Sequence, residues 1–289
     1  MKQAYQAANP VDAQLLVDLL ASEGVAAFIQ GQYLSGAIGE LPAGELLRVW
    51  VADEHVERAR AVIASREAQQ PLLDDAIDPV LAHSWPRAWL GVGASDDGVG
   101  LRDSLLAAWS EPQRRYHTVR HLGDCIALFE QTTHLAVHPA EVEIALWFHD
   151  AVYDLKASDN EARSAAWAEQ ALSDAQVGSD GRARVHELIM ATCHAAQANT
   201  DDGRLLVDID LSILGAEPER FDEYEVQVRQ EYAWVPGPLF RRKRRELLQG
   251  FLARKNIYAT QWFEQRFEAM ARSNLQRSVA RLRPWLRFW

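Results

Sequence analysis

Two hydrophobic rhythms divide this chain. Up to about residue 68, short apolar runs of strand length alternate with stripes of helical period; beyond about residue 80 only helical stripes recur. Gln3 to Ala7 has the make-up of a short strand. Asn9 is a good N-cap with Pro10 at the first helical position. Val11, Leu15, Leu16, Leu19 and Leu20 then recur on one face until Gly24 stops the helix. Val25 to Gln30 and Leu46 to Val51 read as strands, separated by a glycine-containing stretch from Gly31 to Gly44. Asp53 caps a last helix with the stripe Val56, Ala59, Val62 and Ile63. The order β-α-β-β-α predicts a small ferredoxin-like α+β domain over residues 1–68.

The string QQPLLDDAIDP, residues 69–79, has little periodicity and two prolines, and a linker is expected over 69–80. From 81 to 289 helical stripes follow one another, interrupted at Asp96-Asp97-Gly98 and Val235-Pro236-Gly237-Pro238, which predicts an all-α second domain.

Composition narrows the class. With 48% hydrophobic and 25% charged residues the chain has a globular profile, and a net charge of -11 argues against general affinity for nucleic acid or anionic lipid. No apolar run reaches membrane-spanning length, the first residues lack the core of a secretion signal, and the two cysteines, Cys125 and Cys193, make a disulfide framework unexpected. A cytoplasmic location is therefore expected. The C-terminal RLRPWLRFW suits core packing or a subunit contact, so a homodimer is a compatible assembly.

The candidate chemistry centres on ALWFHDAVYD, residues 145–154, where His149 and Asp150 sit in an apolar, helix-forming run. Burying two ionisable groups there is costly unless something offsets the desolvation, and a divalent metal coordinates both imidazole and carboxylate. Upstream, RRYHTVRHL places His117 and His121 four apart, on one face if helical; downstream come Thr192-Cys193-His194 and Asp208-Ile209-Asp210. One such side chain per helix, aimed at the bundle core, is how helical proteins build metal sites. His117 stands as an alternative to His121, which the apolar positions Leu122, Ile126 and Phe129 follow. Asp208 stands as an alternative to Asp210, from which it diverges by about 200° on a helix.

Together RYHTVRHL, ALWFHDAVYD, DNEARSA, ATCH and DIDLSILG resemble the HD superfamily of metal-dependent phosphohydrolases, over residues 85 to 289. The resemblance implies an HD-type helical fold and a divalent ion (Mn, Fe, Co, Ni, Zn or Mg) held by His121, His149, Asp150 and Asp210. It also implies hydrolysis of a phosphoester of a small metabolite, with nucleotides as the suggested class, by metal-activated water. Within that picture Glu161 and Asp154 are candidate acid/base residues, with Asp154 also able to orient His149. His117 and His194 are candidate outer partners or substrate contacts. Arg114, Arg115, Arg120 and Arg163 are candidate phosphate donors. The run Arg241–Arg245 reads as a solvated helix start. In the first domain, VDAQLLVDLLASEGVAAFI and LRVWVADEHVERARAVI resemble small prokaryotic signal-transducing domains, which implies a fold rather than a chemistry. The competing reading is a regulatory protein of the HD fold that binds metal and ligand without efficient turnover.

Overall fold

A computed structural model of the chain describes residues 1–6, 17, 20–21, 24–30, 48–69, 78–193 and 198–282. It divides into two compact units, Met1–Ile77 and Asp78–Trp289. The first carries a three-stranded sheet of β1 (Lys2–Gln6), β2 (Ala27–Gln30) and β3 (Arg48–Val51), in the order β1-β3-β2. β3 runs antiparallel to both neighbours, so β1 and β2 are parallel with β3 inserted between them, as in a split β-α-β unit. Most of the helix expected between β1 and β2 lies outside the described residues, although Val17, Leu20 and Ala21 are helical. Its end is clear. Gly24 takes φ +74, a left-handed value that favours glycine, and the Val25 amide donates to the Leu20 carbonyl at 2.7 Å. After a short 3-10 turn at Asp53–His55, α1 (Val56–Gln69) lays Val56, Ala59 and Ile63 on a core shared with Leu20, Val25, Val49 and Val51.

The second unit is helical: α2 (Pro79–Gly91), α3 (Val99–Trp109), α4 (Val119–Thr132), α5 (Pro139–Phe148), α6 (Asn160–Asp174), α7 (Ser179–Met190), α8 (Asp201–Asp210), α9 (Pro218–Glu231), α10 (Gly237–Ala253) and α11 (Gln261–Arg281). Helix α2 starts inside the stretch expected to be linker, because Asp78 caps it by accepting from the Val80 amide at 2.9 Å. Residues 70–77 of that stretch lie outside the described residues.

The bundle is organised around α5, which is buried from Val142 to Phe148. Its own Trp147 packs with Trp85, Trp89 and Trp109, and the polar edges of these rings are satisfied. Trp109 donates to the Trp147 carbonyl at 3.0 Å, and Trp147 to Ser84 Oγ at 2.9 Å. Ser84 in turn donates to the buried Glu143, which also takes Arg87. Gly98, at φ +60, is required twice over, since a Cβ there would meet the Trp89 ring at 2.6 Å. With its apolar faces consumed by this packing, α5 ends at Phe148 and delivers His149 and Asp150 into the turn that follows.

Candidate metal centre

Three helices bring four donor groups toward a common point. His121 lies in the first turn of α4, His149 and Asp150 follow the last turn of α5, and Asp210 closes α8. The His121 and His149 Nε2 atoms stand 3.3 Å apart. Asp210 Oδ1 is 3.3 Å from His121 Nε2 and 3.6 Å from His149 Nε2, and Asp150 Oδ2 is 3.5 Å from His149 Nε2. Donors bound to one ion at about 2.0–2.2 Å stand about 3.0–3.6 Å from each other, so these spacings are compatible with a shared ion.

The chemistry of the donors fits a cation as well. His149 Nδ1 donates to the Leu146 carbonyl at 2.8 Å, which fixes the tautomer and leaves Nε2 with a bare lone pair in the neutral ring. That lone pair faces another imidazole nitrogen and two carboxylate oxygens. Without a metal the same seat attracts a proton. Burial alone would lower the His149 pKa, but the Asp150 and Asp210 carboxylates overcome it and raise it to about 9. His121, with desolvation dominant, is held below its ordinary value.

Cys125, one turn after His121 on α4, is the donor that sequence reasoning passed over. Its Sγ lies 3.7 Å from His121 Nδ1, and His121, Cys125 and His149 offer ligand atoms within 4.8 Å of one another. Burial pushes the thiol pKa well up, so Cys125 meets the imidazole as a neutral neighbour. Asp210 approaches both imidazoles more closely and brings charge, which makes it the better complement to the histidines.

His117 stands just outside. It precedes α4 rather than sharing a helical face with His121, yet its Nε2 comes within 3.9 Å of Asp150 Oδ2. What aims it is Glu231 at the end of α9, another residue the sequence did not single out. The Glu231 side chain is fully buried and accepts from the amides of Arg115, Tyr116 and His117 at 2.8, 2.9 and 3.1 Å, and pairs with His117 Nδ1 at 2.9 Å. Tyr153 donates to it at 3.2 Å. Burial would raise the Glu231 pKa, but His117 and these amides hold it down at about 2.

Asp208, two residues before Asp210, is committed elsewhere. It holds the residues leading into α11, accepting from the Ala259 and Thr260 amides and from the Thr260 hydroxyl.

Several expected roles are corrected by position. Arg114 is no phosphate donor. Its side chain is fully buried and its guanidinium donates to the carbonyls of His117, Asp150 and Ala151 and to Glu111, so it clamps the turn that carries Asp150. Arg115 donates to the carbonyls of Pro112 and Arg114 in its own loop, and Arg120 pairs with Glu223 at the surface. Arg163 is exposed on α6. None of the four lines the cavity over the centre. Asp154 does not either, because α5 ends at Phe148 and the helical spacing from Asp150 is lost; it is exposed and accepts from the Lys156 amide. The partner expected of it at His149 is the Leu146 carbonyl instead. Glu161 does line the cavity, and His194 lies outside the described residues.

That cavity, about 680 Å³, opens on His117, Asp150 and Asp210 and is walled by α9, α10 and the turn between them. Its cations come from the run expected to be a solvated helix start. Lys243 and Arg244 line it, and Arg244 is buried, bonded to Glu225 at 3.0 Å and set over the Tyr224 ring at 5.0 Å. In a run of five basic residues the inward-facing ones follow from the apolar neighbours at helical spacing, Phe240, Leu247 and Phe251, which was the available signal.

Comparison with known proteins reaches the first unit. Residues 1–67 match the family described as "Putative prokaryotic signal transducing protein". The match ends before the helical unit and bears on the small sheet domain alone. No curated protein and no solved structure matches the chain.

Proposed function

We propose that the helical unit is an HD-type, metal-dependent phosphohydrolase acting on a phosphoester of a small metabolite. The observation that carries this reading is the convergence on His149 of His121, Asp150 and Asp210 at 3.3–3.6 Å, with His121 and Asp210 3.3 Å apart, beneath a cavity of substrate size. These four residues would hold the ion. Bound there, a divalent cation would polarise a phosphoryl oxygen and lower the pKa of water.

The chain's own residues supply the rest. In hydrolysis an oxygen of water bonds to phosphorus, the ester P–O bond breaks, and the leaving oxygen takes up a proton. His117 would pass that proton from Nε2, with Glu231 holding Nδ1–H and keeping the ring aimed at Asp150. Lys243 and Arg244 offer the positive charge that a phosphoryl group requires. Arg114 keeps the Asp150 turn in place, a positioning role. Glu161 at the cavity lining is the remaining acid/base candidate.

The test is elemental analysis of the purified protein together with phosphate release from a panel that starts with nucleotides, for wild type and Asp150→Ala. The expected result is about one equivalent of a divalent metal and release that disappears in the variant. Release unchanged in Asp150→Ala would remove the proposed chemistry. The regulatory reading draws on the signal-transducing family matched by residues 1–67. Bound metal without turnover across the panel would favour it.

A further inference from the structure

The wall of the cavity narrows the substrate further, on the phosphohydrolase reading just given. Helix α10 turns one stripe inward, Phe240, Arg244, Leu247 and Phe251, at spacings of four, three and four that keep one helical face toward the cavity. Tyr232, Val228 and Leu214 extend the apolar lining toward the centre. At the mouth, Trp234, Leu239 and Leu247 line the cavity and are also 53, 41 and 50% exposed, among the most exposed large apolar residues described. Apolar side chains gathered half-open around a cavity mark a place where an apolar ligand is buried.

The charge along the same wall is sparse. Among the described lining residues the cations are Lys243 and Arg244, and Arg244 already faces Glu225. Lys243 is largely exposed and 3.5 Å from Glu246. Glu161 adds a negative charge to the lining. A polyphosphate chain would bring several negative charges into a wall that matches few of them, and unmatched charge beside apolar groups is costly. One phosphoryl group at the metal-type donors and an organic body along the α9–α10 wall suits both halves of the cavity.

We infer that the substrate is a phosphomonoester of an apolar alcohol, one phosphoryl group on an aliphatic or aromatic body, rather than a nucleoside polyphosphate. The test uses the full-length, metal-loaded protein and non-hydrolysable probes: methyl-, butyl-, octyl- and benzylphosphonate, and the imidodiphosphate analogue of ATP, each titrated by calorimetry. Affinity is expected to rise by up to about fourfold per buried methylene. With about half of its seven extra methylenes buried, octylphosphonate should bind about 100-fold more tightly than methylphosphonate, and benzylphosphonate should show whether the wall prefers rings to chains.

The double variant Trp234→Ala, Leu247→Ala, both uncharged changes at the exposed mouth, should bind methylphosphonate as wild type does and lose most of the gain for octyl. Octyl binding no tighter than methyl, a gain that survives in the double variant, or tighter binding of the ATP analogue would each overturn the inference. Phosphate release from octyl phosphate is measured separately. Graded binding without release would support the inference on substrate shape and overturn hydrolysis.

Discussion

Carboxylates occupy two kinds of surroundings in the helical unit, and they separate on helix α8 within two residues. Asp208 is surrounded by donors, the Ala259 and Thr260 amides and the Thr260 hydroxyl. Glu231 is treated the same way by three consecutive amides. Asp210 and Asp150 instead face imidazole nitrogens, one of which has its proton committed to the opposite side of the ring. A buried anion ringed by N–H groups is satisfied by the fold and holds elements together. A half-buried anion aimed at imidazole nitrogens can share a cation with them. Acidity alone does not distinguish the two; burial, complete at Asp208 and Glu231 and partial at Asp150 and Asp210, and the polarity of the surroundings do.

Substitutions at the two kinds of position should therefore fail in different ways. The largest effect is expected at the lone-pair cluster. Asp150→Ala should weaken metal binding by more than the roughly 100-fold that loss of an outer partner costs, read by elemental analysis after dialysis. Retention of a full equivalent of metal would place the ion elsewhere.

The neighbouring aspartates give the sharpest contrast. Asp208→Ala should lower stability by about 3 kcal/mol in denaturant titration, through the buried donors at Ala259 and Thr260 left unpaired, while metal stoichiometry holds. Asp210→Ala should do the reverse, losing metal while the metal-free protein keeps most of its stability. Chelation should then lower the melting temperature of wild type and leave that of Asp210→Ala where it was. Equal behaviour of the two variants would erase the distinction drawn here.

Glu231 should reveal itself through pH. Its folded pKa, about 2, lies below the ordinary 4.5, so the unfolded chain binds the proton more readily. The stabilisation is thus fully present above about pH 4.5 and is lost as pH falls toward 2, an effect of about 3 kcal/mol for this fully buried side chain. Wild type should lose stability across that window. Glu231→Gln should start lower and lose less across it, since the amide does not titrate. Parallel stability curves for the two proteins would show that the carboxylate charge is not what the three amides and His117 require. The smallest effect is expected at the clamp: Arg114→Lys, which cannot reproduce the forked contacts to three carbonyls, should reduce metal affinity by about 10-fold through a displaced Asp150 turn.

Much of this protein is local enough to be written in the order of its residues. The strands at Lys2–Gln6, Ala27–Gln30 and Arg48–Val51, the stop at Gly24 and the run of helices after residue 78 follow from hydrophobic period, caps and turn residues, each a contest settled among neighbours. The residue types at the centre were equally visible, because a His-Asp pair in an apolar run is conspicuous wherever it ends up. Other features depended on distance. Only the meeting of α4, α5 and α8 separates Asp210 from Asp208 and His121 from His117. Only the close of α5 at Phe148 sends Asp154 to the surface, and only the return of α9 and α10 turns Glu231 into a brace and Arg244 into a cavity wall. The reason is that helical period tells which residues share a face, whereas the partner of that face is chosen by long-range packing. A charged side chain takes its role from whatever arrives opposite it.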